Sequence, residues 1–295
     1  MRAGIDLGGT KTEIIVLDNG FEVYRQRQAT PADDYPSLLQ SLVRLFHHAK
    51  MDLQQTHLSL GLGMPGALTP DGRIKNANTR CLNGQYLQRD LQARLNQPVA
   101  LMNDANLFAL SEAVDGSGQT LDSVFGVILG TGVGGGWVFK QSIVLGANSI
   151  AGEWGHNEMP ARCSRASPNK RSCYCGKVDC IETFLSGSGL RQSYVELAGV
   201  SASVEAIVDY AAQGQREAIK ALALYSQQLA AALSMVVNIV DPDLIVLGGG
   251  LSNIPQLAEQ TEKQLGNYVF SEAVITPVRK NRHGDSSGVR GAAWL

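Results

Sequence analysis

The chain has 295 residues, a formal net charge of −2, 44% hydrophobic and 18% charged residues, which is the composition of a globular protein with a sizeable core. This near-neutral charge gives no electrostatic reason to expect nucleic acid or an anionic membrane as a partner. The N-terminus enters a predicted strand with no signal-peptide pattern, and no apolar run approaches the roughly 20 residues of a membrane span. We therefore expect a cytoplasmic protein.

A glycine-rich turn between two predicted strands opens the chain. It consists of Gly8, Gly9, Thr10 and Lys11. Asp6 closes the first strand, and a β-branched run at 14–16 predicts the second. Exposed backbone N–H groups at adjacent glycines suit phosphate oxygens, and the threonine and lysine add a donor and a positive charge. The order of residues differs from a P-loop, and an ordinary glycine-rich hairpin is the alternative.

Strands and helices alternate through the rest of the first half. The pattern predicts a hairpin at 18–20 leading to a strand at 21–27, a helix over 35–50, a strand at 58–63, a helix from Leu87 to Leu95 and a buried strand at 98–102. Gly66 follows the strand at 58–63. Close approach of a substrate to its backbone is one interpretation, and a plain turn is the other.

Asp104 follows the buried strand and precedes a helical stripe of apolar residues. A carboxylate at the carboxyl end of a strand, where ligands of open α/β sheets bind, is typical of a general base. Asp and Asn are also favoured helix N-caps, so capping is the alternative interpretation. The two roles are compatible, because a helix N-terminus keeps a carboxylate ionised.

The polar, glycine-rich stretch at 115–122 predicts a domain boundary. We expect an N-terminal α/β domain over 1–117, a larger one over 118–284, and a C-terminal helix at about 285–295 that returns to the first.

The larger domain contains the strand, glycine turn, strand pattern of the first domain a second time. This second glycine turn contains Gly130, Thr131, Gly132 and Gly134, and a third glycine cluster after a later predicted strand contains Gly248, Gly249 and Gly250. Two half-structures that each offer a backbone loop to one polyphosphate would explain the repetition.

Helices dominate the second half of the larger domain. The pattern predicts three helices over 187–240, the longest from Arg216 to Val240, then a strand at 244–247, a helix at 255–268 and a strand at 274–278. A basic loop precedes them and is predicted to be solvated surface. It contains Arg162, Arg165, Lys170 and Arg171.

A cysteine cluster predicts a metal site. Cys173, Cys175 and Cys180 lie within eight residues, too close for strain-free disulfides and well spaced for thiolates on one ion. With His156 as fourth ligand the site would be a closed, tetrahedral zinc site. Free buried cysteines are the alternative, and Cys81 and Cys163 are predicted to pack as small hydrophobic residues.

Together these motifs resemble the ROK family (repressors, open reading frames and sugar kinases), and within it the bacterial fructokinases. The resemblance is carried by residues 5–11, Asn103-Asp104-Ala105, Gly152-Glu153-Trp154-Gly155-His156, the cysteine cluster with Glu182, Asp241-Pro242-Asp243 before the last glycine turn, and residues 283–293. Asp179 departs from the family, which usually has glycine there. Aspartate tolerates the left-handed conformation better than most residues, so we expect the cluster to survive.

The resemblance implies an actin-like ATPase (ribonuclease H-like) α/β fold, with two domains and a cleft between them. It implies that Asp104 takes a proton from a sugar hydroxyl and that Asp6 helps to bind Mg²⁺, directly or through water. The first two glycine turns would hold the phosphates of ATP, and Gly248 to Gly250 would lie near the nucleoside. The implied sugar ligands are Gly66, Asn103, Asp104, Glu153, His156 and Glu182, with His156 also on zinc.

The resulting hypothesis is an ATP-dependent kinase that converts fructose to fructose 6-phosphate, working as a homodimer. Mannose, glucose, allose and N-acetylglucosamine are alternative substrates. A sugar-sensing regulator of the same family is the main alternative of another class; such proteins carry a DNA-binding domain before the first strand. A filament-forming relative of actin is a further alternative, which the cysteine cluster disfavours.

Overall fold

The structure, a computed structural model, describes residues 1–69, 71–164, 167–284 and 287–295. Arg165 of the predicted basic loop, and Asp285 and Ser286 of the C-terminal motif, lie outside the described residues. The chain divides into two compact units, with residues 1–119 and 285–295 in unit 1 and residues 120–284 in unit 2.

Unit 1 is built on a five-stranded sheet with helices. Its elements are β1 (Arg2–Leu7), β2 (Lys11–Asp18), β3 (Phe21–Ala29), α1 (Tyr35–Asp52), β4 (Ser59–Met64), β5 (Ala67–Leu68), β6 (Ile74–Lys75), α2 (Leu87–Leu95), β7 (Ala100–Asn103) and α3 (Asp104–Val114). The order in the sheet is β3-β2-β1-β4-β7; β4 is parallel to both β1 and β7, and the other pairs are antiparallel. The predicted elements of this half are confirmed.

Local residues explain the turns and caps of unit 1. Asn19 and Gly20 both have positive φ, 48° and 84°, which the tight turn between β2 and β3 requires. Helix α1 begins after Asp34, whose Oδ2 accepts a hydrogen bond from Ser37 N at 2.9 Å. Its apolar stripe, including Leu42 and Phe46, is buried in the core of the sheet.

Unit 2 has a second five-stranded sheet, in the order β10-β9-β8-β11-β12. Its elements are β8 (Ser123–Leu129), β9 (Val133–Phe139), β10 (Ser142–Ile143), α4 (Ala161–Ser164), α5 (Glu182–Leu185), α6 (Gly187–Ala198), α7 (Val204–Ala212), α8 (Arg216–Val240), β11 (Leu244–Gly248), α9 (Leu257–Leu265) and β12 (Val278–Lys280). The three predicted helices over 187–240 are confirmed as α6, α7 and α8.

The strand predicted at 274–278 is wrong. The last strand of the sheet is β12, which starts at Val278 and pairs in parallel with β11. Pro277 has no N–H to donate, and its carbonyl alone joins the sheet by accepting from Ile245 N at 3.0 Å. Ile275, which lies within the predicted strand, is 91% exposed.

Helix α8 supplies much of the core of unit 2. It is long and apolar enough to cross a membrane by length and composition alone, but 61% of its most apolar window is buried inside the protein. Leu229 and Leu233 of this helix lie in one cluster with Val127 of β8 and Leu247 of β11. Its hydrophobicity is therefore accounted for by packing within unit 2.

The chain ends in α10 (Ser287–Trp294), which belongs to unit 1. Glycines allow this helix to approach the sheet closely. A Cβ on Gly61 of β4 would lie 1.9 Å from the carbonyl oxygen of Ala292, and a Cβ on Gly4 of β1 would lie 2.3 Å from that of Val289. Both obstacles are backbone atoms, so no rotamer change relieves them.

Replacing Gly61 by alanine is therefore expected to lower the free energy of unfolding by about 1–3 kcal/mol, the usual cost of overpacking. Gly266→Ala is the matched control, because nothing lies within 4 Å of its added Cβ and its φ is −58°. Urea unfolding followed by tryptophan fluorescence measures both. Equal midpoints for the two variants would contradict the close packing of α10 on β4.

Candidate active-site residues and metal centre

Asp6 and Asp104 lie at the same edge of the unit 1 sheet. Asp6 is near the carboxyl end of β1, and Asp104 directly follows the carboxyl end of β7; both strands are parallel to β4 between them. Burial, then the negative charges of Asp104 and Glu13, raise the pKa of Asp6 to about 6. Asp104 is solvent-exposed, but the protein atoms packed around its carboxylate partly desolvate it and so raise its pKa above the ordinary value.

The N-cap of α3 is Asn103, not Asp104. The Asn103 Oδ1 accepts a hydrogen bond from Asn106 N at 3.2 Å, while Asp104 is the first helical residue. The Asp104 Oδ1 accepts a hydrogen bond from its neighbour, Ala105 N, at 2.8 Å. Capping is thus carried out by Asn103, and the exposed carboxylate of Asp104 is available for chemistry.

Two glycines surround the Asp6 carboxylate. A Cβ on Gly63 of β4 would lie 3.3 Å from Asp6 Oδ1, and one on Gly288 of α10 would lie 3.6 Å from Asp6 Oδ2. The carboxylate is thereby packed between a strand and a helix of unit 1. Sequence analysis missed Gly63, although a glycine inside a strand is itself a signal of close approach.

The turn at 8–11 is held in shape by its backbone and by Thr30. Gly8 N donates to Lys11 O at 3.0 Å, and Thr30 Oγ1 donates to Gly8 O at 2.8 Å. Gly9, Thr10 and Lys11 are exposed. The turn therefore presents backbone and cationic groups to solvent, as an anion-binding loop requires.

The turn at 130–134 is braced from within unit 2. Gly130 N donates to Gly132 O at 3.0 Å, and Trp154 Nε1 donates to Gly134 O at 3.0 Å. Val133 N donates to Oε2 of Glu182 at 2.9 Å. The structure thus places Glu182, a predicted sugar ligand, on the glycine turn. Thr131 is exposed at its tip.

Two other predicted glycine sites have structural explanations. Gly249, between Gly248 and Gly250, has a φ of 78°, and a Cβ on it would lie 2.4 Å from Leu129 O. Gly66 has a φ of 85°, and its Cβ would lie 2.4 Å from Lys75 O. Both positions require glycine whether or not a ligand approaches them.

The predicted metal ligands do come together. One donor atom from each of His156, Cys173, Cys175 and Cys180 lies within 4.8 Å of the others. Desolvation and the neighbouring thiols raise the pKa of Cys180 to about 12. Three thiolates are stable at this spacing when a cation balances them, so the donor set fits zinc.

The loop that carries the cysteines tolerates Asp179. Its φ is 53°, in the left-handed region, and its Oδ1 accepts a hydrogen bond from Arg171 N at 2.8 Å. Gly176, between the second and third cysteines, has a φ of 89°. Aspartate thus meets the backbone requirement at the position where glycine was expected.

Arg171 is not part of a solvated basic surface, so that prediction is wrong for this residue. Its guanidinium is buried, pairs with Glu196 at 3.0 Å and lies 4.3 Å from the centre of the Phe184 ring. It also donates to Thr183 O at 2.9 Å. Glu196 lies 25 residues away on α6, so the residues around Arg171 could not predict this ion pair. Arg162 and Lys170 are exposed, as predicted.

His156 has a different neighbour on each ring nitrogen. Nδ1 lies 3.6 Å from Cys173 Sγ, whereas Nε2 lies 3.0 Å from the hydroxyl of Tyr174. The ring is thus oriented with one nitrogen towards the thiols. Glu153, three residues earlier, is exposed. Cys163 is buried in the core of unit 2 and Cys81 packs against that of unit 1, as predicted.

Known proteins resemble this chain over its whole length. The sequence model of the ROK family matches residues 2–295. The N-acetyl-D-glucosamine kinase of Photobacterium profundum is 39% identical over 100% of this chain and 99% of that protein, and that of Escherichia coli is 38% identical over the same shares. The crystal structure of a ROK hexokinase from Thermus thermophilus matches with a TM-score of 0.89 and 26% identity, over 99% of this chain and 96% of that one.

The chain therefore belongs to the ROK family and has its actin-like ATPase fold, with a five-stranded sheet in each unit. The expectation that bacterial fructokinases are its nearest relatives is not confirmed. The curated relatives with 38–39% identity are N-acetyl-D-glucosamine kinases.

Proposed function

We propose that this protein is an ATP-dependent hexose kinase. The observation that carries the proposal is the position of Asp104, an exposed carboxylate at the carboxyl edge of the unit 1 sheet with its pKa raised and helix capping left to Asn103. The ROK relatives of highest identity named above are sugar kinases, which supports the same chemistry. Phosphoryl transfer needs a base for the sugar hydroxyl and groups that position and neutralise phosphate.

In unit 1 the proposal gives Asp104 the role of general base. A raised pKa makes it a better proton acceptor than an ordinary aspartate, which suits removal of a hydroxyl proton as the oxygen attacks the γ-phosphorus. Asp6 would hold Mg²⁺, which when bound neutralises negative charge on the phosphates. The exposed N–H groups of Gly9 and Thr10, with the Lys11 ammonium, would contact phosphate oxygens.

In unit 2, Glu153 and His156 would bind hydroxyl groups of the sugar. The His156 Nε2 that now faces Tyr174 is the nitrogen left for a sugar, because Nδ1 faces the thiols. Bound zinc would supply a fixed tetrahedral anchor for His156 and the three cysteines. Asn103 of unit 1 would offer its amide NH₂ group, since its oxygen caps α3.

Two sugars are the leading candidate substrates. N-acetyl-D-glucosamine is favoured by the full-length relatives at 38–39% identity. Fructose is favoured by the motifs in which the chain resembles fructokinases, above all residues 283–293. We place N-acetyl-D-glucosamine first, because the relatives match the whole chain rather than one segment.

A panel of hexoses with Mg·ATP, followed by ADP release, tests the proposal. We expect turnover with N-acetyl-D-glucosamine and at least about tenfold lower kcat/KM for sugars that lack the acetamido group, because a site built to hydrogen-bond a polar group rejects analogues without it. Turnover with fructose but not with N-acetyl-D-glucosamine would reverse the order of the two candidates. No turnover with any hexose, together with sugar binding in calorimetry, would favour a sugar-sensing regulator. The homodimer and the cytoplasmic location stay predictions.

A further inference from the structure

We infer that Glu182 is a positioning residue for the nucleotide turn at 130–133, and that it links this turn to the metal cluster. The inference rests on the proposed function, because it assumes that the turn binds ATP phosphates. It differs from the sugar-binding role that the family resemblance implied for Glu182. The residues concerned all belong to unit 2.

The contact between Glu182 and the turn is specific. Its Oε2 accepts from Val133 N at 2.9 Å, a charge-assisted hydrogen bond between a carboxylate and backbone. Gly187 N, at the start of α6, donates to Gly130 O at 2.9 Å. The segment 182–187 therefore holds the turn at both of its ends.

Gly132 shows that the carboxylate and the turn fit together tightly. A Cβ at position 132 would lie 2.6 Å from Glu182 Oε2, which is shorter than real Cβ contacts. A side chain at position 132 would displace the Glu182 carboxylate from its present position, so the glycine is needed for the contact between Glu182 and Val133 as it stands. Its neighbour Gly130, in contrast, has nothing within 4 Å of an added Cβ.

The start of the segment is also fixed at the metal cluster. Cys180 is one of the four cluster residues, and Thr183 Oγ1 donates to its carbonyl at 2.7 Å. Ile181 N donates to Asn157 O at 2.9 Å, next to His156. The buried Arg171 donates to Thr183 O at 2.9 Å. These bonds fix the backbone from which Glu182 reaches the turn.

Binding of Mg·ATP in the absence of any sugar separates this role from sugar recognition. For Glu182→Ala we expect a Kd for Mg·ATP about tenfold higher than that of the wild type, the size of effect expected for a lost hydrogen bond to a charged group. Glu182→Gln keeps an oxygen acceptor for Val133 N and should stay within about threefold of wild type. Glu272→Ala, which removes an exposed carboxylate elsewhere in unit 2, is the charge-matched control.

Amide hydrogen exchange provides a second readout that needs no ligand. In Glu182→Ala the amides of 130–134 should exchange faster, while those of β8 and β11 stay protected and show that the unit is folded. Unchanged Mg·ATP affinity and unchanged exchange at Val133 would overturn the inference. A wild-type protein that does not bind Mg·ATP would instead overturn the proposed function, so the two failures are distinguishable.

Discussion

Replacing Asp104 by asparagine is expected to lower kcat by at least about 10²–10⁴-fold, the usual contribution of a general base. The asparagine Oδ1 can still accept from Ala105 N, so the start of α3 should be preserved. The KM values for sugar and ATP should change much less than kcat, because proton transfer matters only in the transition state. Initial rates with the substrate identified in the hexose panel provide the measurement.

The control for this substitution is Asp209→Asn, which makes the same chemical change at an exposed position of α7 in unit 2. It should retain the wild-type rate. The pH profile gives a further check. The base works only when deprotonated, and partial desolvation by the surrounding protein raises the Asp104 pKa, so the wild-type rate should fall as the pH falls through that pKa. Near wild-type turnover in Asp104→Asn would exclude this residue as the base.

Features of the chain that depend on neighbouring residues were predictable. The turn at Asn19 and Gly20, the N-terminal start of α1 and the full length of α8 follow from glycine, capping residues and helical periodicity, and the structure has them all. The cysteine cluster was predictable for the same reason, since three of its four residues lie within one short loop.

Features that depend on residues far apart in sequence were not predictable. The pairing of Glu182 with Val133 joins positions 49 apart, and that of Arg171 with Glu196 joins positions 25 apart. Both required the fold to be known, because the resemblance assigned Glu182 only to a sugar and nothing in the segment around Glu196 indicated Arg171 as its partner. The basic residues around Arg171 indicated a solvated surface rather than a buried position, since clustered cations in a loop are usually exposed to water.

The wrongly predicted strand at 274–278 has a related cause. Its β-branched residues are typical of a strand, but Pro277 lacks a backbone donor and β12 pairs with β11 only from Val278 onwards. Side-chain pattern alone does not determine where backbone hydrogen bonds are available.

Removing the Cys180 thiol is expected to have the second large effect. Native protein should contain about one zinc per chain. Loss of a residue that merely hydrogen-bonds a metal ligand lowers metal affinity by roughly 10–100-fold, so Cys180→Ser, which removes a ligand itself, should lower zinc affinity by more than that. Cys180 is buried between Cys175, 3.6 Å away, and the His156 carbonyl, so a serine there leaves an incomplete donor set. Elemental analysis and titration against a competing chelator measure the change.

Cys81→Ser is the matched control, because Cys81 lies in unit 1 outside the cluster. It should keep its zinc. Structural zinc contributes directly to folding. Cys180→Ser and chelator-treated wild type should therefore both unfold at a lower temperature than native protein. Adding chelator to Cys180→Ser should not lower its unfolding temperature further. Clearly substoichiometric zinc in native protein, or equal zinc content in the two variants, would show that these cysteines do not form a zinc site. The shared loss of stability would place the effect at residues 171–180, where the buried Arg171 donates to Thr183 O beside Glu182.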